Sequence, residues 1–134
     1  TQNTCSIHIR RTDYVGNAWH EVCHLEYYTD AINEIKKRTN VYLFLVFSDD
    51  ISWCKEFLKG ENILFVEGNS DIEDLYLMSR CSHNIICNSS FSWWGAWLNV
   101  NQNKIVISPD RWFNDESRSI KDLVLEDWIK IKIN

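Results

Sequence analysis

VYLFLVFSDD, residues 41–50, decides the fold. Seven apolar residues, Val41 to Phe47, follow one another without a polar interruption and then stop at Ser48, Asp49 and Asp50. A strand with one wet face alternates apolar and polar side chains, whereas a strand covered on both faces does not need to. The run is also too short for a buried helix and rich in Val and Phe. It therefore reads as a strand inside a sheet with helices on both sides.

Four more short apolar runs resemble it, at Cys5–Ile9, Ile63–Val66, Asn84–Cys87 and Ile105–Ile107. Between them lie stretches with helical spacing, Glu26–Arg38, Ile51–Lys59, Asp71–Arg80 and Ser92–Asn99. In the first of these, Tyr27, Tyr28, Ala31, Ile32 and Ile35 fall on one face. Parallel strands need crossovers and helices supply them, so the order strand, helix, strand predicts an α/β, Rossmann-like parallel sheet flanked by helices. After Pro109 the pattern weakens, and the tail Ile120–Ile133 has no assignment.

The chain has 134 residues, 45% of them hydrophobic, with seven tryptophans, one proline and four glycines. That suits one packed domain over residues 1–134 without a linker. A formal charge of −5 lacks the basic footprint of a nucleic-acid binder, so any anion must be held locally. No stretch reaches the roughly 18–20 apolar residues of a membrane span, and the start TQNTCS has no secretory pattern. The five cysteines, without C-x-x-C, read as reduced core residues in a cytosol-like compartment.

In an open parallel sheet ligands bind beyond the carboxyl ends of the strands. The first strand runs into His8, Arg10, Arg11 and Asp13, the second into Ser48, Asp49 and Asp50, and the fourth into Asn88, Ser89 and Ser90 ahead of a helix. Together they suit a nucleoside diphosphate sugar. An arginine offers charge and a fork of donors to phosphate; the helix start offers hydroxyls and free N–H groups; an aspartate accepts two hydrogen bonds, as the guanine edge requires. Plainer roles stand beside these. Asp49 or Asp50 suits an N-cap, Ser89 or Ser90 another, and the arginines can pair with carboxylates. Side chains alternate along a strand, so one arginine is expected to face the ligand and the other to be structural.

Residues 20–24, HEVCH, match the H-E-x-x-H zinc motif through His20, Glu21 and His24. The loop-like entry Val15–Ala18 and the lack of a marked third ligand count against a zinc hydrolase. Asn88-Ser89-Ser90 fits a glycosylation acceptor, but its apolar flanks do not suit one. Phe91, Trp94 and Trp97–Leu98 recur at helical spacing and read as core packing rather than a sugar-stacking surface.

HIRRTDYV, CHLEYYTDAI, FLVFSDDISWCKEFL, DLYLMSRCSHNIICNSSFSWWGAWLN and KIVISPDRWF together resemble, in order and over nearly the whole chain, the glycosyltransferase family 11 α-1,2-fucosyltransferases. The resemblance implies the C-terminal, donor-binding lobe of a two-lobed GT-B enzyme, about half of a complete member, with the N-terminal acceptor lobe absent. It implies inverting transfer of L-fucose from GDP-fucose to the 2-hydroxyl of a terminal galactose, with no metal and no other cofactor. Arg10 is then expected on the donor pyrophosphate, with His8 and Arg11 in the same box and Asp13 as the base. Ser48, Asp49 and Asp50 are expected near guanine and ribose, and Asn88, Ser89, Ser90 and Ser92 at the phosphate-facing helix start. The partners implied are GDP-fucose and a galactose-terminated glycan, in a bacterial cytoplasm, extending to peripheral contact with the inner face of the membrane. A non-catalytic GDP- or carbohydrate-binding descendant is the other class kept open.

Overall fold

The computed structural model describes residues 3–19, 21–112, 125 and 127–133. Its order is β1 (Thr4–Ile9), α1 (Leu25–Arg38), β2 (Leu43–Ser48), α2 (Ile51–Phe57), β3 (Ile63–Phe65), α3 (Asp71–Arg80), β4 (His83–Ile85), α4 (Ser90–Trp97), β5 (Val106–Pro109) and β6 (Ile129–Ile131). The strands form one six-stranded sheet in the order β3-β2-β1-β4-β5-β6. Every neighbouring pair is parallel. This is the Rossmann-like arrangement expected from the alternation of runs. The chain builds outward from β1 through β2 to β3, then returns to lay β4 on the other side of β1, so the switch in direction falls between β1 and β4.

β1 is the central strand and all six of its residues are buried. Cys5, Ile7 and Ile9 join a core with Tyr28, Ala31 and Ile35 of α1 and Cys54 of α2. Each large side chain buried in this way contributes about 1.5–3 kcal/mol. The alternate residues of β1 meet polar partners. Asn84 of β4 donates through Nδ2 to Ser6 Oγ (2.7 Å) and to the Met78 carbonyl (2.8 Å), while Asn99 donates to Asn84 Oδ1 (2.8 Å) and the Cys81 carbonyl (2.7 Å). Buried amides are tolerated only when so satisfied, and these tie the ends of α3 and α4 to the sheet.

α3 starts with a capping box, in which Ser70 Oγ accepts from the Glu73 amide and Glu73 accepts from the Ser70 amide. α4 approaches α3 so closely that a Cβ on Gly95 would lie 2.5 Å from Met78 Cε. The small residues Ser92, Gly95 and Ala96 therefore form its buried face. This corrects the core reading of the tryptophan helix: Trp94 and Trp97 are each about half exposed, at 49% and 50%, and Trp97 stacks on Trp93 at 5.6 Å.

β6 is the strand absent from the sequence reading, in the tail left unassigned. It pairs with β5 through Ile107↔Ile129 and Pro109↔Ile131. All five cysteines are free thiols, and four are buried.

Candidate functional site

The switch point brings the end of β1, the end of β2 and the start of α4 together. His8 lies inside this junction, with Nδ1 hydrogen-bonded to Ser92 Oγ and 3.5 Å from Cys87 Sγ. Burial lowers the His8 pKa to about 4; Asp49 works against the shift and Arg10 with it. The imidazole is therefore neutral near pH 7. Burial likewise raises the Cys87 thiol to about 11, opposed by its bond to Ser92. Ser92 is fully buried, so its hydroxyl joins α4 to β1 instead of facing the edge. Ser89 is the N-cap of α4 without a side-chain cap bond, and Ser90 is exposed. Asn88 is buried and donates to the Trp112 carbonyl at 2.9 Å.

The two arginines diverge after β1. Arg10 grips Asp13 through two bonds of 2.9 Å and lies 3.1 Å from Asp49; the Asp13 bond, ahead of the other influences, raises its pKa. Arg11 turns to α2, with Nε 3.2 Å from Asp50 and its guanidinium 4.0 Å from the centre of the Trp53 ring, a cation–π arrangement. The anionic partners of the arginine pair are thus three aspartates.

Those carboxylates have structural tasks. Asp49 accepts from the Arg11 amide (2.8 Å), the Thr12 amide (3.2 Å) and the Thr12 hydroxyl (2.7 Å), holding the loop after β1. Asp50 caps α2 by accepting from the Trp53 amide at 3.3 Å, the plainer of its two expected roles. Ser48 Oγ accepts from the Asp50 amide at 3.0 Å. Tyr14 donates to the Asn88 carbonyl at 3.1 Å, linking the same loop to the entrance of α4.

Between these elements is a cleft of about 150 Å³ lined by His8, Arg10, Ser48, Asp49, Asp74 and Phe91 among others. Asp74 is the residue that sequence reasoning missed. Its Oδ1 is buried with no hydrogen-bond partner, and burial pushes its carboxyl pKa up, against a bond from Asn69 and with the help of Asp71 and Glu73. A buried acceptor left without a donor costs about 1–3 kcal/mol, so a donor from a ligand would be favourable there. In sequence Asp74 looks like the third acid in the first turn of α3, where acids are ordinary; only its aim into the cleft distinguishes it.

The zinc reading is corrected by backbone conformation. Residues 21–24 precede α1 in non-helical chain, His24 is the N-cap of that helix, and Glu21 accepts from the Gly16 amide. The motif needs both ligands on one helix face. His20 lies outside the described residues, among which no group of three His, Cys, Asp or Glu side chains is placed to hold a metal. Among the same residues no helix is long and apolar enough to cross a membrane.

Comparison with known proteins places the chain in a family. The chain is 44% identical, over 97% of its length, to an alpha-1,2-colitosyltransferase of Escherichia coli. It is 41% identical over 96% to the O-antigen biosynthesis glycosyltransferase WbnK of the same species, and 31% identical over 69% to the galactoside alpha-(1,2)-fucosyltransferase 2 of Bos taurus. It spans about half the length of the two bacterial relatives, 48% and 45%, and 29% of the bovine one. The family model described as glycosyl transferase family 11 matches residues 1–132. The family model's match over almost every residue, on a six-stranded parallel sheet whose first strand runs into Arg10 and Arg11, leads to one conclusion: the chain belongs to glycosyltransferase family 11.

Proposed function

We propose that this chain is the donor-binding lobe of a two-lobed GT-B α-1,2-fucosyltransferase, which moves L-fucose from GDP-fucose to the 2-hydroxyl of a terminal galactose with inversion. The observation that carries the reading is the cleft itself, with the Arg10 guanidinium and an Asp74 carboxylate whose Oδ1 has no partner sharing one space at the switch point. Arg10 suits the diphosphate; the start of α4, with Ser89 and Ser90, adds amide donors. Asp49 and Asp50 are taken up by the loop and by α2, so the guanine contact passes to Asp74, whose unpartnered Oδ1 suits a donor of the N1–H and N2–H₂ edge.

As the bond from fucose C1 to the diphosphate lengthens, charge grows on the β-phosphate, and Arg10 with the α4 amides neutralises it without a metal ion. One such preorganised contact is worth about 100- to 1000-fold in rate. Asp13 orients Arg10 in the free site. When the phosphates draw Arg10 toward them, Asp13 becomes the carboxylate available to the acceptor proton. Ser92 and His8 hold α4 against β1 while this happens. Turnover also requires the acceptor to be positioned against the donor, a task assigned to the other lobe. A cytoplasmic setting facing the inner membrane goes with the likeness to a bacterial O-antigen enzyme.

The 44% relative, an alpha-1,2-colitosyltransferase, favours a colitosyl donor as the second candidate. Calorimetry with GDP and ADP in metal-free buffer tests the reading, followed by transfer assays with fucosyl and colitosyl donors on galactosides. GDP should bind better than ADP, Arg10→Gln should weaken GDP by about 10- to 100-fold, and Asp74→Asn should erase the preference for guanine. Equal affinity for GDP and ADP refutes the base contact. Nucleotide binding without transfer by a complete homologue supports the non-catalytic class instead.

A further inference from the structure

Five arginines occur among the described residues. Arg10, Arg11 and Arg38 each pair with a carboxylate, and Arg80 lies 5.9 Å from the centre of the Tyr76 ring. Arg111 differs, because its Nε is buried and has no hydrogen-bond partner. It stands two residues beyond the end of β5, at the same carboxyl edge as the cleft. Its backbone is fixed on both sides. The Asp110 amide donates to the Ile131 carbonyl (3.0 Å) while Asp110 Oδ1 accepts from the Ile133 amide (3.0 Å). On the other side the Trp112 carbonyl accepts from Asn88, the residue that leads into the cap of α4. The charge is felt inward as well. Burial raises the Cys23 thiol far above its usual range, and Arg111 is among the smaller influences opposing it. Cys23 lines a small cavity with Arg10, Arg11 and Asn88.

We propose that Arg111 is a second anion-binding arginine of this site, reaching from the end of β5 past Asn88 to a phosphate oxygen of the sugar-nucleotide donor. The assignment rests on the donor reading above and extends it, since it places a cation on the β5 side of the α4 start, opposite Arg10. A guanidinium held by a rigid backbone, with its buried Nε–H left without an acceptor, is preorganised for an oxyanion. An orphaned Nε–H is costly until that acceptor arrives.

The test is calorimetry of the chain in metal-free buffer with two probes, GDP and inorganic pyrophosphate. Arg111→Gln should weaken both by about tenfold or more, Arg111→Lys should recover part of the loss, and Arg80→Gln, on the outer face of α3, should change neither. Circular dichroism checks the fold, and Arg111→Met, which keeps the aliphatic stem, replaces the glutamine variant if that one unfolds. Wild-type affinity for both probes in the neutral variants overturns the proposal, as does a wild-type chain that binds neither. A wild-type chain that binds pyrophosphate through Arg111 but has no preference for GDP over ADP upholds Arg111 while refuting the guanine reading.

Discussion

Acidification is a direct probe of His8. The ring is buried and neutral, with its pKa lowered from 6.5 to about 4. In the unfolded chain it takes a proton near pH 6.5. Between those values the unfolded state binds more protons, so stability rises with pH across that window. The contribution is complete above about pH 6.5 and is lost progressively as pH falls toward 4. A shift of this size corresponds to about 3 kcal/mol, a large share of the ~5–15 kcal/mol typical of a domain. His8→Gln removes the titration while keeping a side chain able to bond Ser92. Urea unfolding from pH 7.5 to 4.5 should show the wild type losing stability more steeply than the variant below pH 6.5. Asp74, with its raised pKa, acts in the opposite sense but equally in both proteins, so the difference isolates His8. Parallel curves would refute the buried, neutral assignment.

Other expectations concern the frame around the site. Asp49→Asn weakens a carboxylate that accepts two amides and a hydroxyl, and should cost about 2 kcal/mol or more, read as a lower urea midpoint with the slope unchanged. Tyr27 donates to the Ile86 carbonyl at 2.5 Å and the Ile107 carbonyl at 3.2 Å; Tyr27→Phe leaves both buried acceptors short and should cost about 1–3 kcal/mol, seen in thermal melts. Gly95→Ala drives a methyl into Met78, an overpacking cost of about 1–3 kcal/mol against about 1 kcal/mol returned by helix propensity. A variant melting above wild type would show that Met78 yields freely.

The centre of the sheet was legible because β1 is buried on both faces and β2 largely covered, with helices between the strands, so Val41–Phe47 and Cys5–Ile9 stand out as unbroken runs. β6 was not legible. It is three residues at the sheet edge, with Lys130 exposed between two isoleucines, and its pairing with β5 is a tertiary fact. The tryptophans of α4 misled for a related reason: helical spacing identifies a face, but glycine and alanine rather than the large rings met the neighbouring helix. The convergence of His8, Asp49 and Ser89 at one edge followed from strand order. Which carboxylate was already occupied did not, since that depends on Thr12, Trp53 and Asn69 reaching particular oxygens.

The junction of β1 with β4 also bears on synthesis and refolding. His8 of β1 and Phe91 of α4 both line the cleft, and the bond that joins those elements links His8 to Ser92, 84 residues away, so no amino-terminal fragment ending before α4 can possess it. Non-local contacts of this kind form late because loop closure must come first. Ligand occupancy is therefore reserved for chains that have completed their topology. Donor present during refolding would select finished molecules by mass action, drawing them away from the half-built sheet whose open β1 edge invites misassociation.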